Sequence, residues 1–541
     1  MKYLQRKKNN DLVIGLDCST TSTKVIAFNK KGKIVARAVE TIPLFSPKPN
    51  YNEQDPSDWW LSTQKAIKNV THQLDPKRIA ALAVANQRET FVPLDKNGNC
   101  LRPAIVWLDE RCKNEVESFS NKIGKNKIHR ITGKPADYAP VVYRLAWMKK
   151  NEPGLFKKIG MICDVHTYLV WKLTGTFKTS WASADPLGLF DLKKKEWSSS
   201  ILKALDLKED QLPFAYQPGE MLGKLSSDAS KSMGLCTDTF IVAGGGDGQA
   251  AGLGSNVLTS ELAYLNLGTA VVAGVYGSQY KTSKAFRTMC GCTENGYYYE
   301  CSLRAGTFAI DWFIKNVLKI DPLQHPDIYN ILEQEAQQIP VGSDGLFHLP
   351  YLCGVMNPYW DINARGAFIG LSSSHNRGHM YRSILEGIAF EQLFAISSVE
   401  KNIGTKVDNL VAIGGGATNN VWCHILADVT GKDICIPQNT EASALGAGIA
   451  ASVGAGWYRT FKEAANEMVE IKKHIHPDKE KYKNISSWLH FIKKYIRVYR
   501  RQENVFENSF QIITGFAFTV KRCKMLNVIK YAEPQIIKII M

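Results

Sequence analysis

A chain of 541 residues is too long to build one hydrophobic core and calls for two or more domains. With 45% apolar and 22% charged residues it is not a disordered chain, and no apolar run reaches the ~18 residues of a membrane-spanning helix. The net charge of +16 sits mostly at the ends, +4 within residues 1–10 and +7 within residues 493–541, which leaves +5 for the long body and argues against nucleic acid as a partner.

The expected layout is a basic N-terminal extension (1–10), a body, and a basic tail (495–541) whose apolar stretches have no clear face. The start, MKYLQRKKNND, lacks the apolar segment of a secretory signal, and the cysteines are scattered. Both point to a cytoplasmic protein. In chain order, Leu12-Val13-Ile14-Gly15-Leu16-Asp17 reads as a strand ending on a carboxylate. A hydroxyl-rich turn follows, Cys18-Ser19-Thr20-Thr21-Ser22-Thr23, then apolar runs at 25–28 and 34–36 that complete an antiparallel meander. Asp55-Pro56-Ser57-Asp58 opens a helix, residues 79–85 form a strand, and helical patterns follow over 109–118, 145–150 and 164–173. A strand at 240–243 then runs into Gly244-Gly245-Gly246-Asp247-Gly248-Gln249-Ala250-Ala251-Gly252. After residue 256 the opening pattern returns: a strand over 263–267, the turn Gly268-Thr269, and a strand over 271–276. This echo predicts two duplicated domains, 11–256 and 257–494. The second continues with a helix over 379–397, a strand over 409–413 entering Gly414-Gly415-Gly416-Ala417, and a closely packed helix within 442–457.

Read alone, Asp247 is the capping acid of a tight strand-to-helix turn. The other turns change that reading. Backbone N–H groups on tight turns, with Ser and Thr hydroxyls, make anion-binding nests. Asp17 beside such a nest is repelled by phosphate unless a cation lies between, so it suits Mg²⁺, held through water. Three glycine or hydroxyl turns with two strand-end carboxylates describe a nucleotide phosphotransferase cleft. Gly246-x-Gly248-x-x-Ala251 only mimics a dinucleotide fingerprint, since an acid stands where the pyrophosphate would lie.

The run Gly366-Ala-Phe368-Ile-Gly370-Leu371, then His379-Met380-Tyr-Arg-Ser383-Ile384-Leu385-Glu386, resembles the C-terminal signature of the FGGY carbohydrate kinases. Glu53-Gln54-Asp55-Pro56, Pro358-Tyr359-Trp360-Asp361 and Asn363-Ala364-Arg365-Gly366 support the resemblance, while near 141–147 Arg144 replaces the usual lysine. The resemblance implies an α/β fold of two duplicated actin-like (ribonuclease-H-like) domains around an interdomain cleft, with sugar, Mg²⁺ and phosphate on the N-terminal side and ATP on the C-terminal side. It implies Asp247 as the general base and Asp17 as the Mg²⁺ acid. Thr20, Thr21, Ser22, Gly268 and Thr269 would bind phosphate, and Gly306, Gly415, Gly416, Ala417 and Asn420 the rest of the nucleotide.

Arg88, Glu89 and Trp107, with Asp247, would contact the acceptor. Their stretch, Asn86-Gln87-Arg88-Glu89, is similar to glycerol kinases of the family, whereas Asp247-Gly248 departs from the Asp-Gln of those enzymes and the 351–374 block looks more like xylulokinases. For Arg88 and Glu89 the alternative is a surface ion pair, and for Trp107 core packing. The expectation is ATP-dependent phosphorylation of D-xylulose to D-xylulose 5-phosphate. The alternatives are a glycerol or other polyol kinase, or a non-catalytic actin-like nucleotide-binding protein. The expected partner is a small sugar or polyol, with a homodimer as a compatible assembly.

Overall fold

In the computed structural model the described residues are 10–361, 364–478 and 480–481; the basic extension, residue 10 apart, and the basic tail lie outside them. The opening meander forms as expected: β1 (Leu12–Cys18), β2 (Ser22–Asn29) and β3 (Ile34–Thr41) pair antiparallel, with Asp17 opposite Lys24. Helix α1 (Pro56–Thr71) packs on β2 and β3 and starts where Asp55 accepts a hydrogen bond from the Ser57 N–H at 2.9 Å. Strand β4 (Ile79–Asn86) lies parallel to β1, and β6 (Phe240–Gly246) parallel to β4; the edge strand β5 (Met221–Lys224) runs antiparallel to β6. The order is β5-β6-β4-β1-β2-β3. Every residue of β1 and β4 is buried, as expected of parallel strands covered on both faces.

After helix α2 (Asp247–Gly254) the scheme repeats. Strands β7 (Leu262–Leu267), β8 (Val271–Gly277) and β10 (Tyr297–Leu303) form a second antiparallel meander, extended by β9 (Arg287–Cys290). Helix α3 (Arg377–Ile403) precedes β11 (Asn409–Ile413), which lies parallel to β7. Helix α4 (Asn420–Thr430) leads to β12 (Asp433–Pro437), parallel to β11, and helix α5 (Ala442–Gly454) leads towards the antiparallel edge strand β13 (Ile471–Ile475). The order β9-β10-β8-β7-β11-β12-β13 reproduces the first sheet's succession of meander, two parallel strands and antiparallel edge.

Helices α2 and α5 follow equivalent strands, β6 and β12, yet each packs on the other sheet. Helix α5 lies against β1, β4 and β6. Ala251 of α2 joins an apolar cluster with Tyr264, Val411 and Ile413 of the second sheet. The two helices cross on glycine: a Cβ at Gly446 would stand 1.9 Å from the Ala250 carbonyl oxygen, and one at Gly254 2.0 Å from that of Ala442. Only bare backbone permits this approach.

The helix expected over 109–118 starts later, at Lys113–Ile123. Asp109 is committed to a turn, accepting from the Asn52 N–H at 2.7 Å and from Arg111 Nε at 2.7 Å, so residues 109–112 are tied across to the loop near residue 50. Among the described residues no helix is long and apolar enough to cross a membrane.

Candidate active site

Register brings the charged residues together. Cys18 of β1 and Gly246 of β6 both pair with Asn86 of β4, so three parallel strands end at one level. In open α/β sheets that edge is where ligands bind. Here it carries Asp17, the pair Arg88 and Glu89, and Asp247.

Asp247 is the first residue of α2, with Gly246 as the cap residue, and its Oδ1 accepts from the Gly248 N–H at 2.7 Å. Its side chain remains 39% exposed, unlike an acid consumed by capping. The half-enclosed position raises its pKa; Arg88 opposes the rise, and Glu89 and Glu300 add to it. Arg88 Nε is 2.9 Å from Asp247 Oδ1, and Arg88 Nη1 is 2.7 Å from Glu300 Oε2. Glu89, held at φ +51°, faces Arg287, whose Nη1 is 3.0 Å from Glu89 Oε1. Arg88 and Glu89 are therefore buried, and each is paired with a residue of the second half rather than displayed on the surface.

Asp17 is buried, and its Oδ1 has no hydrogen-bond partner among the described residues. Burial, and next the Asp247 carboxylate, push its pKa up to about 7. Nearby, Lys24 Nζ lies 2.6 Å from Glu441 Oε2 at the start of α5. Trp107 is 36% exposed rather than a core residue, and its Nε1 donates to Thr20 Oγ1 at 2.9 Å. The rest of the hydroxyl turn is pinned by backbone: Ser19 N–H donates to the Ser22 carbonyl at 2.9 Å, and Ile42 N–H to that of Thr21 at 2.8 Å.

The second sheet contributes its turns in the same way. The Gly268–Thr269 turn accepts backbone hydrogen bonds from Gly306 and Thr307 N–H groups at 2.8 and 2.9 Å, so Gly306 joins it. The Gly414–Ala417 turn sits against the end of β7, where a Cβ on Gly416 would meet the Leu267 carbonyl oxygen at 2.9 Å; Gly415 faces open space. Ala417 is buried, while Asn420, exposed at the start of α4, accepts from Lys473 Nζ at 2.5 Å.

This arrangement has counterparts. Residues 12–254 match the model of the FGGY family of carbohydrate kinases, N-terminal domain, and residues 263–455 that of the C-terminal domain. The chain belongs to the FGGY family of carbohydrate kinases. It is similar to a xylulose kinase of Escherichia coli (strain K12), 30% identical over 480 residues that cover 87% of this chain and 96% of the relative. A solved structure of a ligand-bound xylulose kinase from Lactobacillus acidophilus superposes with a TM-score of 0.84 at 26% identity, covering 91% of this chain and 98% of that one. A Plasmodium falciparum glycerol kinase structure with ADP shares the fold, with a TM-score of 0.80 at 23% identity over 89% and 98% of the two chains. As an FGGY kinase the protein has the family's two-domain, actin-like α/β fold and is an ATP-dependent sugar phosphotransferase.

Within this FGGY kinase, Glu300 and Arg287 complete the charged cluster and were not singled out from sequence. The available signal was a lone acid in the aromatic strand Tyr297–Leu303: a charge in such a setting needs a buried partner.

Proposed function

We propose that this kinase transfers the γ-phosphoryl group of ATP to a hydroxyl of D-xylulose, giving D-xylulose 5-phosphate, with Asp247 as the general base. The observation that carries the base assignment is a half-exposed carboxylate following β6, its pKa raised, at the same strand-end edge as a second carboxylate, Asp17, which has an unpartnered buried oxygen. The acceptor hydroxyl gives its proton to Asp247 Oδ as its oxygen attacks the γ-phosphorus, and ADP departs. Trp107 offers a flat apolar wall beside Thr20, and Arg88 and Glu89 frame the acceptor. Xylulose is favoured by the names of the relatives above.

The N-terminal domain, residues 11–256, serves sugar and phosphate; residues 257–494 serve ATP. Thr20, Thr21, Ser22, Gly268 and Thr269 present hydroxyls and backbone N–H groups to the phosphates, while Gly306, Gly415, Gly416, Ala417 and Asn420 hold the remainder of the nucleotide. The orphaned Oδ1 of Asp17 is a hard oxygen donor and fits Mg²⁺, taken through water. When bound, the ion neutralises phosphate charge. The described cysteines are free thiols, which suits a cytoplasmic protein.

The deciding experiment is ADP release from purified protein supplied with xylulose, ribulose, glycerol or erythritol. Xylulose is expected to give the highest kcat/KM. A clear preference for glycerol would move the acceptor to the polyols, and no stimulation by any of them would remove the sugar assignment.

A further inference from the structure

We propose that Glu300 and Arg287 are positioning residues of the acceptor site: from the second half of the chain they fix Arg88 and Glu89 and hold the guanidinium of Arg88 beside Asp247. This rests on the reading of Asp247 as the base. A guanidinium is a rigid planar fork, so fixing one of its nitrogens fixes the direction of the others. Here Arg88 Nε lies 2.9 Å from Asp247 Oδ1, while Nη1 donates to Glu300 Oε2 at 2.7 Å and to Gln249 Oε1 at 3.4 Å. Arg88 reaches this position only because residues 246 and 248 are glycine: a Cβ at 248 would stand 2.9 Å from Arg88 Cζ and Nη2, and one at 246 would stand 2.5 Å from Cγ.

Glu300 is built to compete for that arginine. Its side chain has no exposed surface, and besides Arg88 it receives Arg287 at 2.5 Å and the Tyr264 hydroxyl at 2.9 Å. Arg287 in turn carries Glu89, at 3.0 Å. The groups that bear on Asp247 are thus Arg88, Glu89, Glu300 and Asp17, the last with Lys24 and Glu441 beside it. A guanidinium near a carboxylate favours its charged form, so where Arg88 is held bears on how readily Asp247 takes a proton. Held at Nη1 by Glu300, the guanidinium keeps its Nε edge beside Asp247, so the orientation of the arginine next to the acid is set from the second half of the chain. Arg287 does for Glu89 what Glu300 does for Arg88, so two residues of the first sheet's edge are held by two strands of the second.

The test uses the full chain with ATP and the best acceptor of the panel. Glu300→Gln keeps shape and removes the charge that competes for Arg88. Arg287→Lys keeps charge but cannot serve Glu89 and Glu300 together. Acceptor kcat/KM is expected to fall about 10- to 100-fold in the first and about tenfold in the second, as misplaced site groups do, while the KM for ATP stays within about twofold. An unchanged acceptor kcat/KM in either variant overturns the proposal. So does an equal loss towards ATP and acceptor that follows a lowered melting temperature, since that marks a purely structural pair. If Glu300→Gln yields no folded protein, Arg287→Lys alone decides. Asp247→Asn in the same assay separates the two readings: retained turnover there overturns the base assignment, whereas an inactive Asp247→Asn beside an unaffected Glu300→Gln overturns only this inference.

Discussion

Gly248 and Arg88 occupy space that admits only one of two arrangements: a side chain at 248, or the guanidinium of Arg88 where it now lies, 2.9 Å from the Cβ that glycine lacks. Gly248 is therefore less a hinge of the turn than a seat for the arginine that faces Asp247. Gly248→Ala should push the guanidinium out of line with Asp247. The expected result is a fall of at least about tenfold in acceptor kcat/KM with a melting temperature lowered by only a few degrees, because over-packing of this size costs about 1–3 kcal/mol. Steady-state kinetics and a thermal melt check both halves of the expectation.

Asp247→Asn removes the proposed proton acceptor and keeps the shape. Turnover is expected to fall by at least about a hundredfold while ATP binding, followed by titration calorimetry, persists. Normal turnover would assign the base elsewhere.

Asp17→Asn keeps the volume of the strand end and removes a carboxyl group whose Oδ1 has no hydrogen-bond partner among the described residues. The Mg²⁺ concentration giving half-maximal rate should rise, and kcat should drop by at least about tenfold, when ADP release is followed across a Mg²⁺ series. An unaltered Mg²⁺ profile would mean that the ion is held by other groups.

Glu391, buried on α3, has its pKa pushed from 4.5 up to about 7 by burial, against the Tyr351 hydroxyl that donates to it at 2.6 Å. A carboxyl raised in the folded state contributes its stability fully below pH 4.5 and loses it as the pH climbs through 7. The loss is on the order of 3 kcal/mol. Glu391→Gln should therefore melt well above the parent at pH 8 and close to it near pH 4.5, with the gap opening between those values. A constant gap would show that the carboxyl does not titrate in this range.

At Gly446 two effects oppose each other. Alanine is favoured over glycine in a helix interior by about 1 kcal/mol. Against that, the new methyl would stand 1.9 Å from the Ala250 carbonyl oxygen, which is backbone and cannot turn aside. Over-packing should win, so Gly446→Ala is expected to lower the melting temperature. A higher one would mean that α2 and α5 can separate without cost.

Much of the candidate site was legible because it is built from local signals. Asp17 and Asp247 each end an apolar strand, and the turns at 268–269 and 414–417 repeat the grammar of the first. The internal echo was enough to predict duplication, which the matching strand orders of the two sheets display. What escaped is non-local. Arg88 and Glu300 are 212 positions apart, and nothing near either residue specifies the other. The exchange of α2 and α5 was equally hidden, since helices made of Gly and Ala show no apolar face to indicate which sheet they cover. The late start of the helix at Lys113 depended on a distant partner too, the Asn52 N–H bound by Asp109.

The exchange of these helices limits how the molecule can be divided. A break in the chain near residue 256 would leave the first fragment with β1, β4 and β6 stripped of the helix that covers them, because that helix is residues 442–454. The second fragment would lose Ala251 from its aromatic cluster. Neither fragment would be a finished folding unit, although each matches a family domain of its own, and soluble, native-like protein should return only when the two are co-expressed and complement one another.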